Sequence, residues 1–555
     1  MSNLIMQIKK DADLLASFFI LIKNKYHSLN LTFYNMISNR RRKYVTFYMG
    51  LLSIYISLIT YFMNSLIFTD NIRTIKSLVT TLFLIFIIFN LLKLFCIKLK
   101  DFYIPINSER KEIRKLSVLY ISLISFFVFF ILFLINFPGI LTTDNINQWN
   151  QIQKFEFVNW HPVIHTFLMW LLSRVINHYG FIIFCQILLF SVSIGVLLAT
   201  FESWGYSRKL ILFILFFLAL NPMVKNILMF AYKNTVFTIF LTFTITSLIN
   251  IYFSNGKWLN SILNILKLSF CIAMMTVILH NGILYTGPLT LLIIVIYAWK
   301  QKNILLTIPI IVVLVFLIRI PLYKSLDVTY PNNENSEVVG LLMTIMCDVM
   351  VKNPDVMPVE SKRFLLEAET KSQWMKEYEL GNYSSIKGKF DETRIINNIP
   401  TEQFLKMSID TIMADKRNSF LAFRNHTAFV WELFPPENTF ISAPWKDALF
   451  NETNKIKKIA GFISVGYDNI ITSILPIGWF FANNGWQLLL LLFVGLIVFY
   501  RGNHKAAFLF IPLLFFTFST MMLLSASDLR YFQYNSVVIL PLTVALLSRN
   551  KNVSN

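Results

Sequence analysis

The chain has 555 residues, of which 56% are hydrophobic and only 14% are charged, whereas about a quarter of the residues of an average soluble domain are charged. This composition excludes an ordinary soluble protein and indicates an integral membrane protein. The net charge of +20 does not indicate nucleic-acid binding, because 19 of the 30 acidic residues fall within 320–457. The remaining basic excess lies in short loops and tails, where it orients a chain in a bilayer.

Apolar runs of roughly 20 residues, the length that crosses a bilayer, recur along the chain. They follow an N-terminal arm, 1–44, whose basic run comes after its apolar patches and therefore does not resemble a signal peptide. The predicted fold is an all-α polytopic membrane protein with about twelve transmembrane helices. The predicted spans are 45–64, 77–96, 116–137, 180–201, 209–224, 235–253, 260–279, 283–298, 304–319, 485–500, 506–526 and 532–548.

Basic loops set the predicted orientation. With residues 1–44 in the cytoplasm, every loop that is rich in lysine and arginine also lies there, as the positive-inside rule requires. Both termini are then on the cytoplasmic side of the inner (cytoplasmic) membrane. The count of twelve spans, with this orientation, requires that 458–481 does not cross the membrane although it is long enough to do so. It is predicted to lie at the interface or to re-enter.

The longest polar stretch, 320–457, mixes apolar and charged residues at helical spacing. It is too long for a loop without structure of its own, so a small, mostly helical extracytoplasmic domain is predicted there. The predicted organisation is an arm at 1–44, a transmembrane module at 45–319 with an outer loop at 138–179, an extracytoplasmic region with an interfacial segment at 320–484, and transmembrane helices with a tail at 485–555.

The outer loop 138–179 contains the candidate catalytic residue. Asp144 follows a Pro-Gly turn at the end of the third predicted span, so its carboxylate is expected near the membrane surface, within reach of a lipid head group and of water. A carboxylate there could act as the general base on a membrane-borne substrate. The alternative is that Asp144 caps a short helix, because TTDNINQW is a typical N-cap sequence.

Histidines and cations on the same predicted face are candidate substrate-binding residues. His161 and His165 are four residues apart, which is one face of a helix, but no third metal ligand is nearby, so hydrogen bonding is favoured over a metal site. Lys233 lies at the outer boundary, where it either extends to water or contacts a phosphate. Glu337, beyond the ninth predicted span, is a reserve carboxylate.

Two further outer connections contribute polar residues to this face. His280 and Asn281 stand before a glycine at a helix junction, and Arg530 and Tyr531 follow the eleventh predicted span. Arg530 either forms a structural ion pair with Asp528 or binds a phosphate with its planar fork of donors. Because these side chains come from loops that are far apart in sequence, their convergence on one face predicts an active site at the outer membrane surface.

The outer loop resembles the GT-C superfamily of polytopic glycosyltransferases, specifically poorly characterised membrane proteins of low-GC Gram-positive bacteria. The similarity covers most of the membrane portion, including AYKN around Lys233, the Asn-Gly pair at 281–282 and the Arg-Tyr pair at 530–531, but not 340–457. The residues of the loop that carry it are Pro138, Gly139, Asp144, Gln148, Trp160, His161 and Pro162.

The resemblance implies an inverting enzyme that transfers a sugar from a polyprenyl-phosphate donor to a glycan or lipid acceptor of the cell envelope, with Asp144 as the base. No cofactor is required, and Asn145 and Asn234 stand where the family pattern leads one to expect acidic residues, which weakens any requirement for a divalent metal. Two alternatives remain open at this point. One is a transporter or flippase of lipid-linked saccharide, and the other is a polysaccharide ligase or polymerase.

Overall fold

The computed structural model describes residues 45–57, 71–106, 112–330, 339–386, 390, 392–433 and 483–550. The predicted arm 1–44, the reserve carboxylate Glu337 and the predicted interfacial segment 458–481 therefore lie outside the described residues.

The described chain is mostly helical. Before residue 330 its helices are α1 (Val45–Ser57), α2 (Asn71–Leu99), α3 (Lys115–Ile135), α4 (Thr143–Lys154), α5 (Val163–Val175), α6 (Tyr179–Ser203), α7 (Arg208–Leu220), α8 (Pro222–Met229), α9 (Lys233–Phe253), α10 (Ile262–Ile278), α11 (Ile283–Tyr297), α12 (Thr307–Leu317) and α13 (Tyr323–Ser325). After residue 339 they are α14 (Gly340–Lys352), α15 (Val359–Ala368), α16 (Lys371–Glu377), α17 (Glu392–Asn398), α18 (Thr401–Ala414), α19 (Lys416–Trp431), α20 (Asn484–Tyr500), α21 (Ala507–Met522) and α22 (Gln533–Leu546).

Among the described residues, seven helices are long and apolar enough to cross a membrane, and the bent pair α7–α8 makes eight if it is counted as one span. The predicted count of twelve is therefore not confirmed. Four of the remaining predicted spans coincide with apolar helices of 10–17 residues, and at 1.5 Å per residue even 17 residues reach only about 26 Å of the roughly 30 Å hydrocarbon core. The seven are Leu82–Leu99, Lys115–Ile135, Tyr179–Ser203, Lys233–Phe253, His280–Tyr297, Lys302–Ser325 and His504–Met522.

The predicted span 209–224 is broken. Helices α7 and α8 meet at an angle of 64°, because Pro222 has no N–H to continue the helix that ends at Leu220. Asn221 caps α8 through its side chain, which accepts a hydrogen bond from the Met223 N–H at 2.9 Å. The bend brings the residues that follow α8 to the N-terminal end of α9, where the candidate site lies.

Hydroxyl groups within the apolar helix α9 bond to its own backbone. Thr238, Thr242 and Thr246 each donate to the carbonyl four residues earlier, at 2.7 to 2.8 Å. Such bonds satisfy a polar group that hydrocarbon could not solvate. Helix α9 is buried in the bundle on nearly all sides. Its packing fixes the position of Lys233, which lies in its first turn.

The basic connections predicted to be cytoplasmic meet at one end of the bundle. Strand β1 (Ile104–Ile106) pairs in parallel with β2 (Ser548–Asn550), which is a departure from the all-α prediction. Arg501 stacks on the ring of Tyr103 at 3.9 Å and donates to the carbonyl of Lys100 at 3.1 Å. The connections that precede α3, follow α20 and follow α22 thus lie together at one end of the bundle.

The region 339–433 forms helices around an apolar cluster of its own. Trp374 is fully buried in this cluster, and its indole N–H donates to the Leu365 carbonyl at 3.0 Å. Buried Asp348 accepts from the Tyr378 hydroxyl at 2.8 Å and from the Gly381 N–H at 2.7 Å. Helix α19 then packs this region against α20 of the membrane bundle.

Candidate functional site

A tight turn after α3 places the candidate catalytic loop against the bundle. Gly139 has a φ of +115°, and a Cβ there would lie 2.9 Å from the Ile183 side chain. A side chain is therefore excluded both by conformation and by space. The next residue, Ile140, donates its N–H to the Met229 carbonyl at 2.8 Å, and the Tyr179 hydroxyl donates to the Ile140 carbonyl at 3.0 Å. The loop is fixed to α6 and α8 just before Asp144.

Asp144 lies in the first turn of α4, but it is not the residue that caps this helix. Thr142 is the N-cap, and the Asn145 side chain accepts both from the Thr142 hydroxyl at 2.9 Å and from the Thr142 N–H at 3.3 Å. Asn145 also donates to the Ala231 carbonyl at 2.9 Å. The capping role considered for Asp144 thus belongs to its neighbours, and its carboxylate points elsewhere.

Arg530 bridges two carboxylates. Its Nη1 lies 2.6 Å from Asp144 Oδ2, and its Nε lies 3.0 Å from Asp528 Oδ2. Asp528 also caps the 3-10 turn Leu529–Tyr531 by accepting the Arg530 N–H at 2.9 Å. The structural pair with Asp528 is therefore present, and the same side chain also reaches Asp144. Phosphate binding by Arg530 stays a prediction.

His161 stands on the other side of Asp144. Its Nε2 lies 4.0 Å from Asp144 Oδ1, and its Nδ1 lies 3.5 Å from Lys233 Nζ. Burial and the charge of Lys233 lower the pKa of His161 to about 3, although Asp144 opposes them, so the ring is neutral at pH 7. A lysine only donates, so Nδ1 is assigned as the acceptor and the proton belongs on Nε2. That Nε2 has no hydrogen-bond partner among the described residues.

The charges around Asp144 keep it ionised. Burial alone would raise the pKa of its carboxyl, but the charges of Arg530 and Lys233 and the hydrogen bond from Arg530 outweigh burial and hold the pKa below its usual range. Asp144 remains 31% exposed, whereas Arg530 is 19% exposed. The carboxylate is therefore charged at neutral pH and still accessible from solvent.

These side chains line one pocket of about 290 Å³, a volume that includes its open mouth. The lining residues are Asp144, Gln148, His161, Tyr232, Lys233, Asn234, Arg530 and Tyr531.

Of the predicted site residues that the structure describes, three lie outside this lining. His165 is buried behind His161 and shares a hydrogen bond with the Gln148 side chain at 3.0 Å. Asn281 donates to the Thr520 hydroxyl at 3.0 Å, which ties α21 to the start of the span at His280. His280 is exposed and is hydrogen-bonded to the backbone of Trp160. All three support the loops that surround the pocket.

Sequence reasoning did not include Tyr232 and Asn234 among the site residues. Tyr232 precedes Lys233 directly, and its ring centroid lies 5.3 Å from the Arg530 guanidinium. Asn234 donates to the Arg530 main-chain carbonyl at 3.1 Å. The tripeptide around Lys233 could have suggested both, since residues at a helix start reach the same surface. Within the described ranges, no three His, Cys, Asp or Glu side chains are grouped as a metal site, and no residue is assigned to a metal.

No protein-family model matches this chain, and neither a curated protein nor a solved structure shows significant similarity to it. The site itself is therefore the basis for a functional conclusion.

Proposed function

We propose that the protein is a glycosyltransferase that takes a sugar from a polyprenyl-phosphate donor and transfers it to a cell-envelope acceptor at the outer face of the cytoplasmic membrane. One observation supports this proposal above all. An ionised carboxylate, a guanidinium and an ammonium group from three distant parts of the chain meet in one pocket at the ends of apolar helices. A substrate held there can keep its lipid in the bilayer while its polar head reaches water.

The arrangement suits transfer with inversion. Asp144 takes the proton of the acceptor hydroxyl as its oxygen attacks the anomeric carbon from the face opposite the phosphate. The bond between that carbon and the phosphate oxygen breaks, and its electron pair leaves with the lipid phosphate. Positive charge develops on the sugar as the leaving group departs. The acceptor hydroxyl therefore becomes acidic only late in the reaction, when its oxygen has begun to bond to the anomeric carbon. A base of low pKa is sufficient for this step.

Lys233 and Arg530 are the groups proposed to stabilise the departing phosphate. In the free protein the charges of Asp144 and Asp528 balance those of the two cations. An incoming lipid phosphate therefore competes with Asp144 for Arg530. The His161 residue is only 3% exposed, and its Nε2 is directed towards Asp144. Its Nε2–H, which has no partner among the described residues, is proposed to donate to an oxygen of the donor or the acceptor.

The proposal is tested with purified protein in liposomes, cell-envelope material as acceptor and radiolabelled sugars on two carriers. Transfer is expected from a polyprenyl phosphate and not from a nucleotide sugar, because the pocket lies at the ends of apolar helices and the proposed donor keeps its lipid end in the bilayer. Transfer from the nucleotide sugar alone would place the reaction on the other side of the membrane and contradict the proposal.

Lys233→Ala is expected to raise the KM for the polyprenyl-phosphate donor by about tenfold to a hundredfold, since a charge-assisted hydrogen bond contributes roughly 1.5–3 kcal/mol. Lys324→Ala is the matched control, because Lys324 is an exposed lysine that does not line the pocket. The measurement is the initial transfer rate against donor concentration. Equal effects of the two substitutions would remove Lys233 from the donor site.

The bent pair α7–α8, with the buried Lys225, is the feature that favours the alternative of a lipid-saccharide transporter. In known transporters, broken helices line a path near the middle of the membrane. Here α8 packs beside Gly139 and the chain after it enters the site at Ala231, so the break serves the pocket. Movement of labelled donor across liposomes without transfer would support the transporter instead.

The proposed orientation predicts which cysteines an impermeant thiol reagent labels in intact cells. Cysteines placed at the exposed positions Asn147 and Glu402 should be labelled, whereas those at Lys302 and Lys505 should be labelled only after lysis. Of the native cysteines, three are buried and Cys185 is partly buried, so their background is expected to be low. The reverse pattern would place the pocket in the cytoplasm.

A further inference from the structure

The helical region 339–433 contacts the segment 524–527, which leads into Arg530, on two sides. His426 in α19 is fully buried, and its Nε2 lies 3.1 Å from the Leu524 carbonyl. The Ser527 hydroxyl donates to the His426 main-chain carbonyl at 2.9 Å. On the other side, Gly340 at the start of α14 packs so closely that a Cβ there would lie 2.5 Å from the Ser525 Cα. The segment 524–527 is thus held between two helices.

This segment continues directly into the ion pairs of the pocket. Asp528 follows Ser527, and it accepts both the backbone N–H and the side-chain Nε of Arg530, at 2.9 and 3.0 Å. The turn Leu529–Tyr531 is only three residues long, so a shift of 524–527 moves Arg530 with it. A displacement of about 1 Å is enough to break a hydrogen bond of ordinary length.

The ring of His426 is held in one orientation. Its Nδ1 lies 3.2 Å from the Gly381 carbonyl and 3.3 Å from both the Thr344 and the Ser527 hydroxyls. We assign the ring proton to Nε2, which then donates to the Leu524 carbonyl. Leu524 is 1% exposed, so no solvent replaces this donor if it is lost.

We propose that His426 is a positioning residue for the transfer reaction. It fixes the segment 524–527 to the helical region, and through Asp528 it sets the place at which the Arg530 guanidinium meets Asp144 and the donor phosphate. This inference rests on the proposed function. It adds that the helical region 339–433 is connected, through the segment 524–527, to the cation proposed to bind the donor phosphate.

Two substitutions separate the contacts of the ring. In His426→Gln the amide nitrogen can occupy the place of Nε2 and still donate to the Leu524 carbonyl. In His426→Asn the shorter amide occupies the place of Nδ1, and the bond to Leu524 is lost. We expect the glutamine variant to keep the wild-type KM for the polyprenyl-phosphate donor and the asparagine variant to raise it about tenfold, with the KM for the acceptor unchanged in both.

The double variant with Arg530→Ala tests whether His426 acts through Arg530. If it does, His426→Asn has little further effect on the donor KM once Arg530 is absent. A purely structural role would lower the active fraction, and hence kcat, in both backgrounds with no change of KM. Wild-type transfer together with unchanged kinetics of His426→Asn would overturn this inference and leave the proposed function intact.

A distance measurement makes the test independent of activity. Spin labels at the exposed positions Asn147 and Leu523 report the distance between α4 and the residue that directly precedes the segment 524–527. The distance distribution is expected to broaden or shift in His426→Asn and to match the wild type in His426→Gln. Identical distributions in all three proteins would overturn the positioning role even if no transfer is detected.

Discussion

Asp144→Asn should abolish transfer without weakening the binding of the donor. A positioned general base contributes typically about 10²- to 10⁴-fold to a rate, so kcat is expected to fall on the order of a thousandfold. The donor KM should stay the same or decrease, because Asp144 Oδ2 lies 2.6 Å from Arg530 Nη1 and competes with the phosphate for this cation. Asparagine keeps the shape of the side chain and removes the competing charge.

The fold of this variant should survive. Thr142 and Asn145 cap α4, so Asp144 contributes there only the favourable interaction of a first-turn carboxylate with the helix dipole, about 0.3–1 kcal/mol. Asp327→Asn is the matched control, because Asp327 is an exposed carboxylate with a φ of +46°, which asparagine tolerates. Initial rates over a range of donor concentrations measure both constants. A rate near that of the wild type would remove Asp144 from the chemistry, and a raised donor KM would contradict the competition.

The helical character of this protein could be predicted from the sequence because a long apolar run has few other solutions in a bilayer. The number of spans could not. Helices such as Ile262–Ile278 and Asn484–Tyr500 are as apolar as the longer candidate spans but have only 17 residues each. The ends of these helices are set by tertiary packing. Pro222 likewise breaks the predicted span 209–224, although the sequence shows one continuous apolar run there. The strand pair β1–β2 was also missed, since three-residue strands leave no periodic signal.

The candidate site was partly predictable for a different reason. Successive predicted spans run in opposite directions, so every second loop lies at the same end of the bundle. This alternation indicated that Asp144, Lys233 and Arg530 are neighbours before any distance was known. The contacts themselves do not follow from it. Asn281 comes to the correct end but bonds to Thr520, and the bridging of Asp144 and Asp528 by one guanidinium depends on a rotamer that sequence does not encode.

Arg530→Ala is expected to have the broadest effect on the site. It removes the cation shared by Asp144 and Asp528, and it leaves two carboxylates 31% and 7% exposed without this partner. Arg530 is proposed to bind the donor phosphate with two charge-assisted hydrogen bonds of roughly 1.5–3 kcal/mol each, so kcat/KM for the donor should fall by on the order of a hundredfold or more. Arg530→Lys keeps the charge but not the planar fork, and an intermediate loss is expected. Asp528→Ala helps to separate the causes, because it removes the anchor of Arg530 and leaves the guanidinium able to reach the phosphate.

The pH dependence of these variants gives the sharpest measure of the coupling. Transfer requires ionised Asp144, so the acid limb of kcat/KM in the wild type reflects a pKa that lies below the usual range of a carboxyl. Without Arg530, burial still raises this pKa while the largest opposing charge is gone. The acid limb should therefore move to higher pH in Arg530→Ala, less so in Arg530→Lys and not at all in Lys324→Ala. If the limb stays in place while the rate falls, Arg530 acts on the donor alone, and the contact with Asp144 has no part in keeping the base ionised.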